Sequence, residues 1–267
     1  ISGLLIGFIA PLIGAFIVVR RLSLIADALS HVTLGGISFG MFLLTIIPVF
    51  SVINPMWFGI LFAVIGALLI EKLRTSFSNY QEIAIPIIMS AGIALSAIFI
   101  SLADGFNQEI VGLLFGSISA VNISDLTTII IITIIVLIFI VLFYKELFIL
   151  SFDEEYSKVI GIPKWIQFLF IVIVAMVISA SMRVVGILLV SALITLPIAI
   201  SMRITKGFKQ LIALSVILGE LSVILGLIIA FYMNISPGGV IVVLLVLMLI
   251  LTMIIQKLKI KFKKGVV

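Results

Sequence analysis

Long apolar runs separated by short polar turns organise this sequence. Runs such as "TTIIIITIIVLIFIVLF" and "GVIVVLLVLMLILTMII" approach the ~20 residues a helix needs to cross ~30 Å of hydrocarbon. Backbone groups in lipid must be paired within their own segment, so each run reads as a helix. The pattern predicts helices over about 1–19, 22–48, 56–73, 82–102, 126–145, 165–182, 184–202, 210–232 and 239–257. The fold class is therefore an all-α integral membrane protein, a polytopic bundle of about eight to nine transmembrane helices. Segment 106–124 is too short and too polar for a span, and predicts an interfacial or re-entrant helix on the outer side. Only Ser181-Met-Arg183 separates the two predicted helices between 165 and 202.

Composition agrees with the pattern. The chain is 64% hydrophobic and 10% charged, with mean hydropathy +1.53, whereas soluble domains carry roughly 25% charged residues. The basic residues stand at the ends of runs: Arg20 and Arg21, Lys72 and Arg74, Lys145, then Arg203, Lys206 and Lys209, and a lysine-rich tail over about 257–267. The opposite turns, around Asn54, Asp104 and Ser236, hold no Lys or Arg. The positive-inside rule puts the basic ends in the cytoplasm, so the net charge of +5 reflects topology and points to no nucleic acid. Small residues recur at Gly3, Gly7 and Gly14, at Gly35, Gly36 and Gly40, and at Gly59 and Gly66, which predicts close helix packing within a single transmembrane domain, 1–267. With no cysteine, neither a disulfide nor a thiolate metal site is available. The chain opens on Ile1 inside an apolar run, which suggests a natural N-terminus further upstream.

Ionisable groups inside the apolar runs are the candidate chemistry. Asp27 and His31, the only histidine, lie four residues apart and share one helix face. Counted from Arg21, His31 falls roughly 15 Å into the membrane, at a cost of at least ~2.5 kcal/mol unless a cavity or partner receives it. A carboxylate beside an imidazole suits a divalent metal such as Zn²⁺ or Mn²⁺; the plain alternative is a structural hydrogen bond between the two side chains. Glu220, mid-way along a later run, is expected at a similar depth, either as part of a cation site or as a carboxyl kept neutral by burial. Arg183, on the outer side, either caps a helix end or snorkels, or else repels cations.

The longest basic-side loop, Tyr144–Trp165, holds "FDEEYSKVIG", which reads either as a short amphipathic helix stopped by Gly161 and Pro163 or as a solvated loop. Several classes are excluded. No G-x-x-x-x-G-K-[ST] phosphate loop occurs, one histidine cannot make H-E-x-x-H, and Asp27 has no aspartate facing it for an aspartyl protease.

Four ordered stretches, Gly3–Gly40, Phe152–Pro163, Arg183–Met202 and Ser236–Val243, resemble the membrane permeases of ATP-binding-cassette (ABC) importers for zinc and manganese. The resemblance covers nearly the whole chain. It implies that Asp27 and His31 are metal ligands on the translocation path, with Glu220 a further ligand or a partner to one. Manganese-type relatives carry a second histidine on the later helix, where the positions around Leu227 are apolar here, so zinc is favoured and manganese comes next. The metal is cargo, bound transiently, with no tightly bound cofactor.

The same resemblance implies a permease that is not itself an enzyme, working as a homodimer in a bacterial plasma membrane. Two cytoplasmic ABC ATPase subunits and an extracytoplasmic metal-binding protein would be its partners. The loop over about 150–164 would be the coupling helix, with Asp153, Glu154, Glu155, Tyr156, Val159 and Gly161 meeting the ATPase. Alternatives are an ion- or proton-coupled secondary metal transporter with Asp27, His31 and Glu220 as relays, and a membrane scaffold.

Overall fold

The computed structural model describes residues 1–47, 54–77, 80–103, 108–116 and 122–264. The long helices are α1 (Ser2–Val19), α2 (Ile25–Ile46), α3 (Met56–Ser76), α4 (Ala84–Leu102), α6 (Ile123–Leu142), α9 (Lys164–Val185), α10 (Ile187–Ile204), α11 (Phe208–Met233) and α12 (Pro237–Lys264). Three short helices complete the order: α5 (Gln108–Phe115), α7 (Tyr144–Phe152) and α8 (Glu154–Val159). Among the described residues there is no strand, and eight helices are long and apolar enough to cross a membrane. The chain is a multi-pass membrane protein. α10, the shorter apolar helix, brings the long helices to the nine expected.

Because nearly every face of these helices is apolar, small residues decide which faces meet. α1 and α9 are the most enclosed, and α12 is largely exposed. α2 lies against α3 and α4 on one side and against α9 and α10 on the other; α1 packs on α11 and α10. At the α1–α11 crossing a Cβ on Gly219 would come within 2.5 Å of Pro11 Cγ and 2.7 Å of the Gly7 carbonyl oxygen. Gly219→Leu is therefore expected to force the two helices apart, lowering the melting temperature of the purified protein by several degrees as an overpacked core does.

Three boundaries differ from the sequence pattern. α1 ends at Arg20, Arg21 takes φ +60°, and the N–H groups of Arg21 and Leu22 return to the carbonyls of Val18 and Ile17 at 3.0 Å each. This left-handed cap delays α2 to Ile25, three residues later than the hydropathy suggests. The break predicted at Ser181-Met-Arg183 lies instead at Gly186, whose φ of +92° only glycine adopts readily; Ser, Met and Arg are compatible with the helix, and α9 runs through them. The stretch 144–152, read as loop, forms α7 directly after a break at Phe143. Of the segment 106–124, α5 covers Gln108–Phe115 and packs against α9, α10 and α12; residues 106–107 and 117–121, like Asp104, lie outside the described residues.

Candidate functional site

Asp27 falls in the first turn of α2 and His31 one turn later, both half-buried on the same face. Among the described residues neither side chain makes a hydrogen bond or ion pair, so the structural Asp27–His31 bond is not formed and both groups are free to meet a ligand. The backbone around them is fixed from behind. Ser96 Oγ of α4 donates to the His31 carbonyl oxygen at 3.1 Å, and Thr33 and Ser179 of α9 join hydroxyls at 3.2 Å. These hydroxyls carry no charge or periodic signal, and their partners lie 65 and 146 residues away, so the sequence pattern does not disclose them.

The outer side of this face is apolar. Leu34, close to one turn beyond His31, joins Ile37, Met41, Ile100, Ile110, Leu113, Met182 and Ile187 in a cluster of its own, apart from the main core. α5 contributes Ile110 and Leu113, which explains why so short a segment is driven into the bundle. Ser236 Oγ, at the start of α12, donates to the Phe115 carbonyl at 2.6 Å, and Gly238 touches the Val185 carbonyl, so the "SPGG" stretch clamps α5 to the α9–α10 break.

Glu220 stands on α11 beside α1, its Oε2 3.5 Å from where a Cβ on Gly7 would lie. α10 lies between α2 and α11. Both α2 and α11 start beside the end of α1, where the rings of Phe16 and Phe208 meet edge-on with centroids 5.2 Å apart. Counting ~1.5 Å per residue from their first residues puts Glu220 roughly 18 Å along its helix and His31 roughly 9 Å along its own. The late start of α2, three residues or roughly 4.5 Å, makes about half of this difference. Among the described residues no three His, Asp or Glu side chains converge as a metal-binding group. The structure brings Asp27 and His31 to one face, and leaves Glu220 on another helix.

Arg183 is neither solvent-exposed nor free to repel cations. From the last turn of α9 its Nη1 donates to Asp125 Oδ2 at 2.7 Å and its Nη2 to Asn54 Oδ1 at 3.3 Å. Asp125, 2% exposed, also accepts from the Asn122 N–H at 3.0 Å and so caps α6.

On the basic side α8 is capped by Asp153, which accepts from the Tyr156 N–H at 2.8 Å, and is stopped by Gly161 at φ +82°. Glu155, Tyr156 and Val159 are exposed, and Phe152 and Ile160 extend the same apolar patch. Glu154 turns back toward the bundle. Its Oε2 lies 3.5 Å from Arg20 Nη2 and 3.5 Å from Arg74 Nη2.

Partial burial pushes the Glu154 carboxyl up, but Arg20, Arg74 and Lys158 outweigh it and hold it below its ordinary value of 4.5. A carboxyl held low adds stability that is fully present above its unfolded value and is lost as pH falls through the lowered one. The melting-temperature gap between the parental protein and Glu154→Gln is thus expected to stay constant above about pH 5 and to shrink below it.

A bundle of apolar spans with a carboxylate–imidazole face that has no partner among the described residues, and a short exposed helix, is the architecture of a multi-pass membrane protein with a candidate ion site. The model of the ABC 3 transport family matches residues 1–256, and the chain belongs to that family. It is 32% identical over 260 residues to a probable metal transport system membrane protein of Treponema pallidum, covering 95% of this chain and 94% of that one. It is 30% identical to the manganese transport system membrane protein MntC of Listeria monocytogenes, over 91% and 84% of the two chains. Its fold matches the solved structure of PsaBC from Streptococcus pneumoniae in complex with Fab, with TM-score 0.80, 28% identity, and 94% and 88% of the chains covered.

Proposed function

We propose that the chain is the membrane pathway of an importer for divalent metal ions, driven by a separate ATPase. One observation carries the reading: Asp27 and His31 face the same way beneath an apolar cap, with no partner for either among the described residues. In an apolar bundle, unpartnered ionisable groups mark an ion path. Two ligands from one helix make an incomplete set, which suits a site that must release what it binds. Glu220, one helix removed, is the proposed third group, brought to the cargo as the helices rock.

Manganese is the proposed cargo. Carboxylate oxygens suit Mn²⁺, and the Listeria relative is named for manganese transport. The apolar positions around Leu227, where the resemblance implies a second histidine in manganese-type relatives, favour zinc, which makes it the competitor to test. The proposed assembly is a homodimer, with an external metal-binding protein delivering the ion from the outer side and two cytoplasmic ABC ATPase subunits on the inner. The exposed face of Glu155, Tyr156 and Val159, with Asp153 and Gly161 holding the shape of α8, is the proposed docking surface. ATP-driven closure then opens the outer side, and hydrolysis resets the path inward.

The test is uptake of labelled manganese and zinc, singly and in competition, by cells making the permease with its ATPase and binding protein. Manganese uptake that excess zinc fails to abolish is expected; uptake of neither metal overturns the reading, and transport by the chain without an ATPase would make it a secondary carrier. Glu220→Gln keeps the shape but removes a charge, and is expected to cut manganese uptake at least about tenfold, a loss of about 1.4 kcal/mol. Parental uptake in that variant would remove Glu220 from the path.

A further inference from the structure

The cytoplasmic ends of two spans meet at the carboxylate of Glu154. Arg20 closes α1 and Arg74 stands in the last turn of α3; both point a guanidinium nitrogen at Glu154 Oε2. Glu71 completes the group, accepting from Arg74 Nη1 at 3.2 Å and from Gln167 Nε2 of α9 at 2.5 Å. Arg20 is sealed in place, its side chain 3% exposed and its guanidinium carbon 5.9 Å from the centre of the Phe170 ring. Seven residues separate Arg20 from Asp27, through the tight turn that begins at Arg21. α8 therefore shows Tyr156 and Val159 to the cytoplasm and Glu154 to the corner that carries Asp27.

We propose that Glu154 is a positioning residue that links α8 to the α1–α2 corner, so that displacement of α8 moves Asp27. The inference rests on the reading of α8 as the docking helix. Apolar contacts between α1 and α7, such as the edge-on rings of Phe16 and Tyr144, can slide past one another. A buried guanidinium that leaves its nearest carboxylate loses most of its compensation in a low-dielectric site, so the ion pair resists separation and transmits both push and pull.

The test uses the permease assembled with its ATPase in proteoliposomes, reading metal uptake per ATP hydrolysed and the amount of ATPase retained. Glu154→Gln is expected to keep the ATPase bound while uptake per ATP falls at least tenfold. Since losing a buried charge partner can also impair folding, a second variant carries Arg20→Cys and Glu154→Cys in a chain that has no other cysteine. Bridging this pair with a short bis-methanethiosulfonate is expected to restore coupling, and reduction to abolish it again. Normal coupling in Glu154→Gln, release of the ATPase by it, or a bridged pair that stays uncoupled overturns the link. Val159→Asp tests the docking reading separately: it is expected to release the ATPase, and full retention would remove that reading while leaving the Glu154 result to stand on its own.

Discussion

Asp27→Ala and His31→Ala are each expected to abolish metal uptake, a loss of at least about a hundredfold or ~2.7 kcal/mol, while the protein accumulates normally in the membrane. The reasoning starts from what these side chains do not do. Neither makes a hydrogen bond or ion pair with the described residues, so truncation leaves no buried partner stranded. α2 gains rather than loses helix propensity with Ala at either position. Its placement depends on the bond from Ser96 to the His31 carbonyl, which a side-chain change does not touch. Uptake and folding should therefore separate cleanly. Membrane abundance and melting temperature near parental values with no uptake confirm the site; uptake within twofold of parental in either variant removes that residue from the ion path.

The second large effect lies on the outer side. Arg183→Met leaves Asp125, 2% exposed, as an uncompensated buried charge. Breaking such a pair from one side costs about 3–5 kcal/mol. Replacing both partners, Asp125→Leu with Arg183→Met, removes the stranded charge and is expected to recover most of that loss. The recovery is incomplete because Asp125 also caps α6 through the Asn122 N–H, a contribution of about 1 kcal/mol. Thermal unfolding of the three purified variants in detergent checks the order: Arg183→Met lowest, the double variant intermediate, the parental protein highest. A double variant less stable than the single one would show that the pair's own attraction, rather than the stranded charge, dominates.

Spans were legible in the sequence because lipid leaves the backbone so few options: an apolar run of sufficient length must be helical. Asp27 and His31 stood out as candidates for a related reason, since an ionisable side chain in such a run contrasts with its background. What stayed hidden was set by contacts between distant positions. Arg183 looked like an isolated cation because Asp125 lies 58 residues earlier. Glu154 looked like its neighbour Glu155, although only three-dimensional packing aims it at Arg20 and Arg74. The break at Gly186 was missed because hydropathy does not register the sign of φ, and the late start of α2 because a non-glycine residue, Arg21, takes the left-handed cap. That second point accounts for about half of the separation of Glu220 from His31 in depth.

The apolar cluster of Leu34, Met41, Ile110, Leu113, Met182 and Ile187 above His31 bears on the energetics of the whole cell. Hydrophobic constrictions expel water, and a cation cannot shed its hydration shell there without compensating ligands. On the proposed path such a cluster would insulate the membrane: sodium and protons, both far more abundant than any trace metal, would find no wet thread to follow down the electrical gradient. Scarce nutrients can then be gathered slowly, one turnover at a time, without each idle transporter becoming a leak that short-circuits the membrane potential.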